Sequence, residues 1–204
     1  MDKQTIAAYD QASAQYVQRW RDQPVPQDLY DLLDQYFSKR GPTVDVGCGA
    51  GSEVAWLAAN GFDDVRGVDA SEGLLRQARA LHAGLQFTHA ALPGLERLQK
   101  GAYQNVLCET VLMHLDPQEI GASMRALLRL LRPEGTLCLS WRVTPGASQR
   151  DPAGRLYAAF DKQLLVNALE DDNMVLYDQE GVAASSGKPV HRLVVRKAGP
   201  GSGQ

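Results

Sequence analysis

No apolar run in this 204-residue chain approaches the ~20 residues that a membrane-spanning helix needs, so no membrane partner is expected. Cysteine is scarce. Cys48, Cys108 and Cys138 are odd in number, scattered through apolar stretches and not spaced as metal ligands. That excludes a disulfide scaffold and a zinc knuckle, and fits reduced thiols buried as small hydrophobes. A basic excess is also missing: the formal net charge is −3, and nothing in it invites nucleic acid or an anionic membrane. The opening Met1-Asp2-Lys3-Gln4 leads into a polar amphipathic segment, not the apolar core of a signal peptide. A cytoplasmic location is therefore expected. What is present suits one globular domain, with 44% hydrophobic and 22% charged residues.

Along the chain, Ile6, Tyr9, Ala12, Tyr16 and Trp20 recur at three- and four-residue steps, which predicts a helix that Pro24 and Pro26 break. A second amphipathic helix, "QDLYDLLDQYFSKRG", closes on Lys39, Arg40 and Gly41. From there strands and helices alternate. "TVDVG", "VRGVDAS", "LQFTH", "YQNVLCE" and "TLCLSWRV" read as strands. The helices between them include a weak one at "LERLQKG" and a strong one at "DPQEIGASMRALLRLLRPEG". In the strong helix Asp116 is the expected N-cap, Pro117 the first residue and Glu119 the partner of a capping box. One more helix, "GRLYAAFDKQLLVNALEDD", precedes two closing strands, "MVLYD" and "HRLVVRK". The expected division is a helical lid over residues 1–40, a core over 41–197 and a flexible tail over 198–204.

Alternation of this kind predicts a parallel sheet whose ligand site lies at the carboxyl ends of the strands. Residues suited to chemistry fall there: Gly47, Asp69, Glu109 and Arg142. The turn "VDVGCGAGS" puts glycine at 47, 49 and 51 directly behind the first strand. This is not the dinucleotide fingerprint, because the third glycine comes one residue early and Ser52 stands where that pattern wants glycine. Nor does Gly-Lys-Ser/Thr follow, as a phosphate loop requires. Asp69, ending the second strand, suits both hydroxyls of a ribose. An adenosine without a pyrophosphate satisfies both observations.

"VDVGCGAGS" with "GVDAS", "YQNVLCETVLMHL" and "LLRLLRPEGTLCLSW" resembles the class I S-adenosylmethionine-dependent methyltransferases over most of the chain, and "AAYDQASAQY" is similar to that family's N-terminal lid. The fold the resemblance implies is α/β: a Rossmann-like, seven-stranded, mostly parallel sheet with helices on both faces and the last strand pair antiparallel, under an N-terminal helical lid. The implied cofactor is S-adenosylmethionine, with S-adenosylhomocysteine as product and no metal. Gly47, Gly49 and Gly51 would admit the methionyl part, Asp45 would face its amino group, Asp69 would take the ribose and Ala70 would pack on adenine. Many relatives bind the adenine amino group with an acid after the third strand. Here "THAALPGL" leaves backbone groups of Ala90 and Ala91, with Leu92 as an apolar wall.

The same resemblance places Tyr9 and Tyr16 over the sulfonium, where aromatic rings favour a cation. It brings Arg19 to the methionyl carboxylate, and makes Tyr16 a candidate in the chemistry too. His114 and Glu109 are the candidates for acid–base work, Glu109 also touching the cofactor. Arg142, with Arg150 and Arg155 returning on the following loop, is expected to grip an anionic acceptor. Cys108-Glu109-Thr110-Val111 replaces the Asn/Asp-Pro-Pro-aromatic motif of nucleobase amine methylation, and no Pro-Cys pair exists for cytosine carbon methylation. A small-molecule oxygen, nitrogen or sulfur acceptor is left, on a monomer or homodimer. The alternatives are a cofactor-binding lyase, cyclase or regulator, and a protein or RNA methyltransferase.

Overall fold

The computed structural model describes residues 1–170 and 172–199. Three helices come first: α1 (Lys3–Gln11), α2 (Ser13–Arg21) and α3 (Gln27–Tyr36). The sheet then starts with β1 (Thr43–Val46), buried along its whole length as an interior parallel strand must be. α4 (Ser52–Ala59), β2 (Val65–Asp69), α5 (Glu72–Leu81), β3 (Gln86–His89) and β4 (Tyr103–Cys108) follow. A short 3-10 turn, Leu112–His114, leads into α6 (Pro117–Leu130) and β5 (Leu131–Arg142). A hairpin of β6 (Gln149–Arg150) and β7 (Leu156–Tyr157), the one-turn α7 (Gln163–Val166), and strands β8 (Met174–Val182) and β9 (Pro189–Arg196) complete the fold.

The main sheet has seven strands in the order β3-β2-β1-β4-β5-β9-β8. Neighbours from β3 to β5 run parallel, and β9 enters antiparallel to both β5 and β8. This is the Rossmann-like sheet with an antiparallel final pair that the sequence resemblance implied. Helices cover both faces. On one, Ile120, Met124 and Leu127 of α6 pack on Val44, Val106 and Leu139. On the other, Leu29 and Leu33 of α3, Val54 and Leu57 of α4, and Leu75 of α5 pack on Leu107, Cys138 and Val194. All three cysteines are buried. Chain direction across the sheet reverses between β1 and β4, so their carboxyl ends flank the crevice in which such folds bind ligands.

Several elements differ from expectation. The first helix breaks at Ala12 (φ −121°, ψ 25°), where the Asp10 carboxylate accepts bonds from Ser71 Oγ (2.6 Å) and Gly73 N (2.8 Å) and ties the end of α1 to α5. The weak helix near Leu95 is a set of turns. The long helix expected across residues 154–172 is instead the β6–β7 hairpin and the single turn α7. Long-range bonds override its helical periodicity: Leu156 N donates to Thr5 Oγ1 (2.9 Å) and Ala158 N to Met113 O (2.8 Å). α6 stops at Leu130 because Pro133 disfavours helix at the residue before it, and Leu131 already pairs with Tyr103. The capping box is half made. Asp116 accepts from Gln118 N (2.9 Å), while Glu119 turns to the Met1 ammonium (3.1 Å). Of the tail expected over 198–204, residues 200–204 lie outside the described residues.

Candidate functional site

The glycine turn joins β1 to α4 at the crevice, and all three glycines are left-handed: φ is +84° at Gly47, +54° at Gly49 and +84° at Gly51. Their surroundings differ. A Cβ on Gly47 would lie 2.2 Å from Val111 Cγ2, and one on Gly51 2.6 Å from the Phe87 ring. Those two glycines let the turn pack against its own protein. At Gly49 the nearest group is the Trp20 ring, 3.4 Å away, so this glycine alone of the three looks only onto the lid and the cleft. Val68 O anchors the turn by accepting from Gly47 N (2.7 Å) and Cys48 N (3.0 Å).

Asp69 reaches over from the end of β2. Its Oδ2 accepts from Gly49 N (2.9 Å) and its Oδ1 from Ser71 N (2.7 Å). Each carboxylate oxygen offers about two acceptor positions, so both can still receive a ribose hydroxyl. Burial raises the Asp69 pKa against the lowering effect of these bonds.

Two cavities open at the strand ends. The inner one, about 90 Å³, lies beside α1 and α2 and is lined by Ile6, Tyr9, Asp69, Ala70, Leu74 and His114 among others. The outer cleft, about 460 Å³, is lined by Pro26, Tyr30, Asp45, Glu53, Trp56 and Arg142 among others. Trp20, Gly47, Gly49, Glu109 and Thr110 line both and form the partition between them.

Asp45 is 2% exposed, and nothing among the described residues hydrogen-bonds to its carboxyl or pairs with it. Burial, then the charges of Glu53, Asp69 and Glu109, push its pKa well up. Glu109, also raised by burial, accepts from Ser140 Oγ (2.6 Å) and lies 3.8 Å from Arg192 Nη2. Arg142 donates to Lys188 O at 3.3 Å and forms no ion pair among the described residues.

Other expected residues fall elsewhere. Ala91 and Leu92 line neither cavity, Leu92 being packed in the core. Arg19 is exposed, its guanidinium 5.5 Å from the Tyr16 ring centroid and away from both cavities. Tyr9, Tyr16 and Trp20 do share one face, with ring centroids 4.9 to 6.1 Å apart. Tyr16 nonetheless lines neither cavity, and its ring already holds a cation, the Arg155 guanidinium at 4.8 Å. Arg150 and Arg155 do not join Arg142: Arg150 pairs with Asp2 (2.9 Å) and Arg155 with Asp151 (2.6 Å).

The geometry also argues against His114 as a general base. Nδ1 lies 2.6 Å from Leu156 O, which can only accept, so Nδ1 carries the proton. Nε2 then accepts from the Tyr9 hydroxyl (3.0 Å), which in turn accepts from Arg155 Nη1 (3.1 Å). Burial lowers the imidazole to about 4, too weak a base for neutral pH. Its neighbour Tyr9 is pushed up to about 12, also by burial. The contact of Arg155 with Tyr9 and Tyr16 was not anticipated, and neither was Glu53. A long hairpin brings Arg155 to α1 without a local sequence signal. Glu53 had one, an acid in the first turn of the helix behind the glycines.

The fold is the Rossmann-like one that solved methyltransferase structures also have. Residues 43–135 match the family model of a methyltransferase domain. A ubiquinone biosynthesis O-methyltransferase of Neisseria meningitidis serogroup C is 31% identical over 118 residues, covering 54% of this chain and 48% of that protein. The chain thus matches about half the length of this curated relative. Among solved structures, the 1,6-didemethyltoxoflavin N1-methyltransferase of Burkholderia thailandensis, bound to 1,6-didemethyltoxoflavin and S-adenosylhomocysteine, superposes with a TM-score of 0.74. It is 19% identical, over 95% of this chain and 87% of that one. A structure described as a cyclase shares the fold as well, with a TM-score of 0.64 and 18% identity over 84% of this chain and 80% of that one. No helix among the described residues is long and apolar enough to cross a membrane.

Proposed function

We propose that this chain is an S-adenosylmethionine-dependent methyltransferase acting on an oxygen, nitrogen or sulfur atom of a small molecule. The observation that carries this is the charge of the inner cavity. It is lined by Asp69 and Glu109 but by no lysine or arginine, and the Met1 ammonium at its edge is already paired with Glu119, so acceptors for ribose hydroxyls outweigh donors for a pyrophosphate. Asp45, buried and unpaired, fits the cofactor's ammonium. The N-terminus of α4 borders the outer cleft at Ser52, where its free backbone N–H groups suit the carboxylate.

When bound, S-adenosylmethionine supplies an electrophilic methyl group on a sulfonium. The protein's part is alignment and exclusion of water. Asp69 orients the ribose, the lid helices cover the adenosine side, and the partition of Trp20, Gly47 and Thr110 stands between that side and the acceptor in the outer cleft. Arg142, half-buried and free of a carboxylate partner, gives that cleft one fork-shaped donor, which favours an anionic acceptor. The two methyltransferases named above, one acting in ubiquinone biosynthesis and one on a toxoflavin precursor, support the small-molecule assignment.

Calorimetry tests it. S-adenosylmethionine and S-adenosylhomocysteine should bind and NAD should not, and Asp69→Ala should weaken binding by roughly 1.5–3 kcal/mol. A clean NAD isotherm with silence from S-adenosylhomocysteine would sink the proposal. Because a cyclase shares the fold, the spent cofactor needs chromatography: S-adenosylhomocysteine marks methyl transfer, methylthioadenosine marks cleavage, and an unconsumed cofactor marks a non-methylating protein.

A further inference from the structure

The outer cleft carries more negative charge than methyl transfer requires. Its lining includes three carboxyl groups, on Asp45, Glu53 and Glu109, against one guanidinium, on Arg142. Glu109 is partly neutralised by Ser140 and Arg192. Asp45 and Glu53 have no ion pair and no side-chain hydrogen bond to another described residue. Asp45 is nine-tenths buried and more, with its carboxyl on the cleft. The carboxyls also act on one another. Glu53, Asp69 and Glu109 each disfavour ionisation of Asp45, and Glu109 does the same to Glu53.

Packed like charges of this kind are unfavourable until something positive arrives, either a proton or a ligand. The two forms of the cofactor differ in that respect. S-adenosylmethionine has an ammonium, a carboxylate and a sulfonium, and is net positive. Its demethylated product has lost the sulfonium charge and is net neutral. The geometry points to Asp45, Glu53 and Glu109 as a charge filter that holds the sulfonium form in preference to the product. Loading is thereby favoured over product retention. Trp20, on the partition, presents an aromatic face suited to the same cation. The inference rests on the cofactor assignment above.

Linkage sets its pH dependence. The groups facing Glu53 are Tyr30 from α3, Asp45 from β1, Cys48 from the glycine turn, Glu109 just after β4 and Arg142 from β5, with Arg192 of β9 behind Glu109. All but the two arginines are acidic or neutral, and burial with the Glu109 charge pushes Glu53 up to about 7. A nearby sulfonium favours the carboxylate, so binding lowers that pKa and releases a proton. Affinity for S-adenosylmethionine therefore rises with pH through neutrality, while affinity for the neutral product rises less.

Titration calorimetry with both ligands, at about pH 6 and about pH 8 and in two buffers of different ionisation enthalpy, gives affinities and proton counts. If the sulfonium shifts the coupled carboxyls by about one pKa unit, S-adenosylmethionine binds about tenfold more tightly than S-adenosylhomocysteine at the higher pH. The ratio then shrinks at the lower pH, more protons leave with S-adenosylmethionine, and Glu53→Gln flattens both trends. A ratio at or below one at both pH values overturns the filter and leaves the cofactor assignment standing. So does a Glu53→Gln variant that binds with wild-type ratio and proton count. Should that variant not fold, the wild-type proton counts decide, and equal release with both ligands overturns the idea. Silence from both ligands brings down the cofactor assignment, and the filter with it.

Discussion

Arg155→Met tests how the N-terminal helices are held over the inner cavity. The guanidinium pairs with Asp151 at 2.6 Å, with side-chain exposures of 14% and 20%, and donates to the Tyr9 hydroxyl at 3.1 Å. It also lies 4.8, 5.3 and 5.6 Å from the ring centroids of Tyr16, Tyr9 and Tyr157. Methionine keeps most of the length and the apolar contact but removes the charge. A hydrogen bond from a charged donor contributes about 1.5–3 kcal/mol and each partly exposed cation–ring contact about 0.5–1 kcal/mol. Because these share one side chain they do not add, and about 2–4 kcal/mol is the expected loss. The loss should be local. Thr5 still accepts from Leu156, Asp2 still pairs with Arg150, and Asp10 still ties α1 to α5. Hydrogen exchange read by mass spectrometry should show protection over residues 3–21 falling by about thirty- to a thousandfold, at about 1.4 kcal/mol per decade, with β1 unchanged. Equal protection in variant and wild type would refute the latch, and so would a loss spread evenly over the sheet.

Three further outcomes follow from the geometry. Gly61→Ala meets only the left-handed backbone penalty of about 1–2 kcal/mol, since no atom lies within 4 Å of the new Cβ, whereas Gly51→Ala must also displace the Phe87 ring 2.6 Å away. Thermal denaturation should therefore rank Gly51→Ala as clearly the more damaging, and equal midpoints would contradict the packing role. For His114, the unfolded state takes up a proton below about pH 6.5 and the folded state only near 4, so stability drops as pH falls through that window. The loss amounts to about 3 kcal/mol at most, and urea titrations of His114→Gln against wild type should show that part of the slope gone. With an acceptor in hand, Arg142→Lys keeps charge but loses the fork, so KM should rise while S-adenosylhomocysteine affinity stays put. Wild-type kinetics in Arg142→Met would retire the anionic acceptor.

The sheet was legible because its signals are local. β-branched runs, a glycine turn and the Asp116-Pro117 helix start declare themselves within a few residues. So was the placing of the glycine turn and Asp69 at strand carboxyl ends, although the bond from Gly49 N to Asp69 was not foreseen. What escaped depends on distance in the chain. "GRLYAAFDKQLLVNALEDD" has helical periodicity, yet Leu156 and Ala158 spend their backbone groups on Thr5 and Met113, and those bonds outweigh propensity. Arg155 reads as one more loop arginine until the hairpin carries it to Tyr9. His114 looks poised for proton transfer from its place after β4, and only the contacts at both ring nitrogens reveal that it has nothing left to accept. All three glycines read as ligand contacts in sequence, yet at Gly47 and Gly51 the missing side chains also make room for Val111 and Phe87.

The hairpin that fastens α1 has a consequence for how the chain is made. Thr5 and Leu156 are 151 residues apart, Asp2 and Arg150 148, and Tyr9 and Arg155 146. During synthesis the segment carrying Tyr9, Tyr16 and Val17 leaves the ribosome long before the residues that will hold it. Contacts of such high sequence separation form slowly, and until they form Tyr9 and Tyr16 lack the Arg155 guanidinium that lies over their rings. A chain stalled short of β6 would have β1 to β5, the glycine turn and the Asp10 tie to α5, but none of the contacts that Thr5, Asp2 and Tyr9 make with the hairpin. A fully fastened α1 is thus the mark of a chain translated through Tyr157.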